Sequence, residues 1–149
     1  MTTEMQNLNL ELEFKAPRAK VWAAWTQVSQ LVQWFAPEGW TVRESDAVVD
    51  ARVGGKEHFV MHSIENPEVQ SPVDAVFTEV SEPSLLVGQT EATPQNGGSV
   101  MELRVELEEI DANNTRMKVT QGPYAADILP LAEQGWGSTM GKLRALLEG

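Results

Sequence analysis

The sequence predicts an α+β fold: a curved antiparallel sheet of about six or seven strands, its apolar face covered by one long C-terminal helix, with two short helices after the first strand. One long helical period occurs, between Ala125 and Gly149. Elsewhere apolar and polar residues alternate with period two, and turn residues punctuate the chain at hairpin spacing.

In chain order, Leu8, Leu10, Leu12 and Phe14 alternate with Asn9, Glu11 and Glu13, the pattern of a strand with one buried face. Pro17, placed at a first helical position, opens a short helix with Val21, Trp22 and Trp25 on its apolar side. Ser29 is the expected cap of a second short helix over residues 30–35, which Pro37 ends. From Trp40 onward, turns are expected at Gly54-Gly55, Asn66-Pro67, Glu82-Pro83-Ser84, Asn96-Gly97-Gly98 and Asp111 to Asn114. The clearest strand runs from Ser99 to Glu108, with Met101, Leu103, Val105 and Leu107 on one face and Glu102, Arg104, Glu106 and Glu108 on the other. The next strand turns Met117 and Val119 inward and Arg116 and Lys118 outward, so acidic and basic rows meet on a solvated face.

The last helix is expected to start near Ile128 or Leu129, because Pro130 is tolerated only in a first turn. Leu129, Ala132, Trp136, Met140, Leu143 and Leu147 form one stripe that must be buried. Gly135, Gly137 and Gly141 each cost roughly 1 kcal/mol against alanine in a helix. Gly137, Ser138, Gly141 and Ala145 make a strip of small residues, suited either to close packing within the chain or to a partner surface such as a homodimer.

The chain of 149 residues is expected to form one domain over its whole length. A net charge of −11 argues against nucleic acid and anionic lipid as partners. The absence of cysteine excludes disulfides, thiolate nucleophiles and thiolate metal sites. The opening Met1-Thr2-Thr3-Glu4 lacks a basic start or apolar run, so neither signal peptide nor membrane insertion is expected, and cytoplasm is the default location.

His58 and His62 are the only histidines. On a strand their spacing separates them by roughly 13 Å, too far to share a metal, and alternation sends both toward solvent. No nucleotide-binding, metalloprotease or hydrolase motif occurs, so no metal or other cofactor is expected. Glu57 is more informative, since alternation places it on the same inward face as Phe59 and Met61. There it is either hydrated at a cavity mouth or desolvated and fit for acid or base work, against the plainer reading of a strand-end glutamate facing water. Gln89 and Gln121 are candidate polar anchors on inward faces. Trp34, Phe35 and Trp40 cluster around the Pro37 turn, where a cavity entrance would form, with Met61, Met101 and Met140 as adaptable lining.

Several short motifs then coincide: Phe14-x-Ala16-Pro17 followed by Val21-Trp22-x-Ala24-Trp25-Thr26, Trp34-Phe35-x-Pro37, Asp50-x-Arg52-x-Gly54-Gly55, Glu79-Val80-x-x-Pro83-x-x-Leu86, and Gly122-Pro123 with Gly135-Trp136-x-x-x-Met140-x-x-Leu143. Together they resemble the AHSA1-type domain, named for its similarity to the activator of the Hsp90 ATPase, within the START/Bet v1-like (SRPBCC) superfamily. Val53 stands where the family pattern usually has proline before the glycine pair. The resemblance implies a helix-grip fold, a sheet wrapped around the C-terminal helix with a hydrophobic cavity between them. It also implies three function classes: binding of a small hydrophobic or amphipathic ligand, a co-chaperone-like interaction tied to stress response, or an enzyme, for which no shared catalytic motif carries over and Glu57 is the candidate only from its inward position. The ligand-binding set expected from these readings is Trp34, Phe35, Trp40, Glu57, Phe59, Met61, Phe77, Gln89, Met101, Trp136 and Met140, with Glu57 the one weak catalytic candidate.

Overall fold

The chain folds in the order β1 (Met5–Phe14), α1 (Arg18–Thr26), α2 (Val28–Leu31), β2 (Trp40–Val42), β3 (Val48–Val49), β4 (Lys56–Ser63), β5 (Gln70–Ser81), β6 (Leu85–Thr90), β7 (Met101–Asp111), β8 (Asn114–Ala125) and α3 (Leu129–Glu148). This is a computed structural model that describes residues 5–90 and 100–149. The strands form one antiparallel sheet in the order β1-β8-β7-β6-β5-β4-β2, with β3 also paired to β4. The sheet curls around α3, which is the helix-grip arrangement, and the core lies between them. Its eight strands exceed the six or seven expected because β2 and β3 have only three and two residues, too few to show a period.

The alternation seen in the sequence sets the two faces of the sheet. Leu8, Phe14, Val105, Leu107, Met117 and Val119 are buried, and the acidic and basic rows lie on the outer face. There Arg116 reaches Glu13 at 3.0 Å and Glu108 at 3.4 Å, across β1, β8 and β7. The expected turn at Asn96-Gly97-Gly98, and Ser99 at the expected start of β7, lie outside the described residues.

Three local expectations need correcting. Pro17 is the cap of α1 and not its first helical residue. Ser29 does not cap α2, because the extended Gln27 does: its carbonyl accepts from the amides of Gln30 and Leu31, at 3.0 and 2.8 Å. The small residues at Gly137 and Gly141 do not serve close packing within the described chain, since a Cβ added at either meets nothing within 4 Å. In α3, Pro130 sits in the first turn, and Trp136, Met140, Leu143 and Leu147 are buried along the stripe. No helix of the described residues is long and apolar enough to cross a membrane.

Candidate functional site

The curl of the sheet is wider than the first half of α3 fills, which leaves a cavity of about 610 Å³ between them. Ligand pockets run to roughly 300–1,000 Å³. Apolar walls come from Trp25 of α1, Phe35 and Pro37 of the following turn, Phe77 of β5, Leu86 of β6, and Leu103 and Val105 of β7, with Ala132, Gly135 and Trp136 of α3 above. The aromatic side is tightly ordered. Trp25 and Trp136 stack at 6.4 Å with 26° between their planes, and Phe35 meets Trp136 edge-on at 5.8 Å.

Of the residues expected at the site from sequence, Phe35, Glu57, Met61, Phe77, Met101 and Trp136 border this cavity, and so does Gln121. Five others do not. Trp34 is buried behind the wall, where its indole N–H donates to the Ala24 carbonyl at 2.9 Å and its ring packs edge-on against Trp25 at 4.7 Å. Phe59 is wholly buried beneath Phe35, with ring centres 4.9 Å apart. Met140 belongs to the closed core, and Trp40 lies half-buried on β2 paired with Ser63. Gln89 is exposed on the outer face, and Gly88 takes the inward slot beside Phe77. The reason is that Leu86, Gly88 and Thr90 line the cavity, so the odd positions of β6 point away. Sequence reasoning missed Trp25, Tyr124 and Thr139; only Trp25 had a signal, as an apolar member of α1.

The histidine expectation is half corrected. His58 lies on the outer face, its ring nitrogen 2.5 Å from Asp74. His62 shares that outer face yet is buried, because the turn at Asp46 and the carbonyl of Pro67 cover it, at 3.2 and 3.5 Å. Among the described residues no three metal-ligating side chains converge.

Two polar groups stand out in the cavity. Glu57 is only 8% exposed, and burial, the one cause acting on it, pushes its carboxyl up to about 7. Among the described residues it has no hydrogen-bond partner. On the opposite wall Gln121 Oε1 accepts from the Trp136 indole N–H at 2.7 Å and from the Tyr124 hydroxyl at 2.5 Å. An indole nitrogen can only donate, so the amide orientation of Gln121 is fixed and its NH₂ is the end left for a ligand acceptor. Burial pushes the Tyr124 phenol up, so it stays neutral.

Comparison with known proteins decides the family. The chain matches the family described as Activator of Hsp90 ATPase homolog 1-like protein over residues 15–148. The chain belongs to the AHSA1 family. Solved structures with the same fold include a protein of Nitrosomonas europaea at 28% identity, covering 95% of this chain and 94% of that one with a TM-score of 0.78. The AHSA1 protein from Silicibacter pomeroyi is 24% identical, with 96% and 98% covered and a TM-score of 0.77. The AHSA1-like protein from Aeromonas hydrophila is 19% identical, with 96% and 92% covered and a TM-score of 0.78. No curated protein matches the chain.

Within this AHSA1-family cavity the chemistry on offer is limited. A largely apolar volume can take a hydrophobic body. One carboxyl poised near neutrality can donate a hydrogen bond when protonated or accept a donor when ionised, and the Gln121 amide can donate to a ligand oxygen.

Proposed function

We propose that this chain, acting as one domain over residues 1–149 in the cytoplasm, binds a small amphipathic molecule non-covalently between the sheet and α3, without a metal or other cofactor. The observation that carries the reading is the cavity of about 610 Å³ with aromatic and aliphatic walls and few polar groups. Burial of apolar ligand surface supplies about 25 cal/mol per Å² before the cost of ordering the ligand is subtracted. The Glu57 and Gln121 ends then set the orientation of the ligand. The test is titration with the neutral fluorophore Nile red. Saturable binding of one probe per chain, lost when Met61→Trp fills the cavity, supports the proposal. Equal binding by both proteins overturns it and favours the co-chaperone-like interaction surface that the family description suggests.

A second reading draws on the Glu57 carboxyl, held near neutrality where acid–base groups work best. As a general base, Glu57→Gln would lower turnover of a hydrophobic substrate by about 10²-fold while leaving its affinity intact. Self-association belongs to the same proposal, along the exposed strip of Gly137, Gly141 and Ala145. Sedimentation of Gly141→Gln against wild type decides it, and equal masses remove the strip from consideration.

A further inference from the structure

We propose that the ligand of this cavity is an amphipathic amine, with its ammonium group seated on Glu57 and its apolar body against the Trp25, Phe35 and Trp136 rings. This names the ligand class of the binding reading above and rests on it.

The ionisable groups around the cavity decide which ligand charge it can take. Of the described residues that line it, only Glu57, Asp74 and Tyr124 are ionisable, and none is Lys, Arg or His. Asp74 counts little inside, because its carboxylate lies on the outer face against His58. Among the described residues, the elements packed against Glu57 bring no charge toward it. Its strand partners are Val49 of β3 and Ala75 of β5, and α3 presents Ala132, Gly135, Trp136 and Thr139. Asp50 and Arg52, at the turn between β3 and β4, pair with each other. Lys142 of α3 donates to the backbone carbonyls of Pro37 and Trp40. Among the described residues, an anionic amphiphile entering this space would meet one carboxyl and no cation.

The hydrogen-bond inventory then separates an amine from a neutral ligand. Ionised, Glu57 has two oxygens that accept and no donor among the described residues to satisfy them. Protonated, it has one hydrogen to give and nothing to receive it. A neutral alcohol satisfies one of these needs at a time. An ammonium group brings three donors and the missing countercharge together, and aromatic ring faces such as those lining this cavity attract a cation. The net charge of −11 also favours the approach of cations over anions.

A proton linkage follows. The ammonium pairs with ionised Glu57, so its binding displaces the proton that the buried carboxyl otherwise holds up to a pH of about 7. Below that pH each unit of acidification lowers amine affinity about tenfold, and above it affinity levels off. A matched neutral chain has no such dependence.

The experiment is displacement of Nile red from wild-type protein by octylamine, octan-1-ol and octanoate, from about pH 5.5 to about 8.5, a span over which an alkylammonium stays charged. The expected result is that at the upper end octylamine displaces the probe at a concentration at least about tenfold below that of octanol, with octanoate weakest. That advantage shrinks about tenfold per unit below neutrality. In Glu57→Gln the advantage of octylamine over octanol disappears, and its dependence on pH disappears with it. Displacement by octanol equal to or better than by octylamine at the upper end overturns the amine assignment alone. An amine advantage that does not vary with pH in the wild type does the same, with no variant needed. Failure of all three to displace the probe overturns this inference together with the cavity reading.

Discussion

Glu57→Gln is expected to stabilise the protein, and by an amount that depends on pH. The carboxyl is 8% exposed, and burial raises it from 4.5 to about 7 in the folded chain. Below about pH 4.5 the group is neutral in both folded and unfolded states and costs nothing. Between about 4.5 and 7 the unfolded chain releases its proton and the folded chain keeps it, so stability falls as pH rises through that window. Above it the full difference of about 2.5 pH units applies, about 3 kcal/mol. Glutamine has nearly the same shape and cannot ionise, so the variant escapes this loss. The gain is up to about 3 kcal/mol near pH 8 and close to zero near pH 4.5, which for a chain of this size is a rise in Tm of roughly 6–12 °C at the alkaline end. The assay is thermal and urea unfolding of ligand-free protein followed by circular dichroism, with every other titrating group common to both proteins. A difference between the two that stays flat from pH 5 to 8 would mean that water hydrates Glu57, and would refute the desolvation argument.

Trp136→Ala removes the stack on Trp25, the edge contact with Phe35 and the bond to Gln121, and is expected to cost about 3 kcal/mol, the low end for such a change because one face of the ring already borders open space; a loss under about 1 kcal/mol in urea melts refutes the packing. Gly55→Ala places a methyl group against the Asp50 carbonyl oxygen, backbone that cannot move aside, so a loss of about 2 kcal/mol or more is expected by the same melts. Thr115→Val breaks the fully buried bond from its hydroxyl to the Ala16 carbonyl at 2.8 Å and leaves that acceptor bare, for about 1–3 kcal/mol. Gly135→Leu gains helix propensity and projects into the cavity, so an unchanged or raised Tm with loss of Nile red binding is expected; retained binding would place the ligand elsewhere.

The parts of this fold that were legible in the sequence are those in which local pattern and tertiary role coincide. β1 and β7 alternate cleanly because one face of each meets the core and the other meets water. Pro130 marks the start of α3 because proline fits only a first turn. β6 was illegible for the converse reason: Leu85-Leu86-Val87 is apolar on both faces, so nothing in the local pattern said that Gly88 and not Gln89 turned inward. Trp25 and Trp34 were equally ambiguous. α1 buries Val21, Trp22, Ala24 and Trp25 together, and no period shows which ring meets the cavity. His62 alternates onto the outer face, where the pattern predicts solvent, and only the fold brings Asp46 and Pro67 over it and buries it.

The division of α3 into two halves gives the cavity its physical meaning. The C-terminal half, with Met140, Leu143 and Leu147, closes the core, and its end is tied down where Lys20 donates to the Leu147 carbonyl and Glu148 accepts from the Lys15 amide. The N-terminal half continues the same stripe with Ala132 and Gly135, residues too small to reach the sheet. Packing does not explain Gly135: the nearest atom to a Cβ built there is Pro37 Cβ at 4.0 Å, so alanine would fit and would spare about 1 kcal/mol of helix propensity. Glu57 lines the same cavity, and its burial is also unfavourable above pH 4.5. A chain shaped for stability alone would carry larger side chains at positions 132 and 135 and a neutral residue at 57. Two independent departures from the stable choice, both lining one cavity, are what the binding function proposed above predicts.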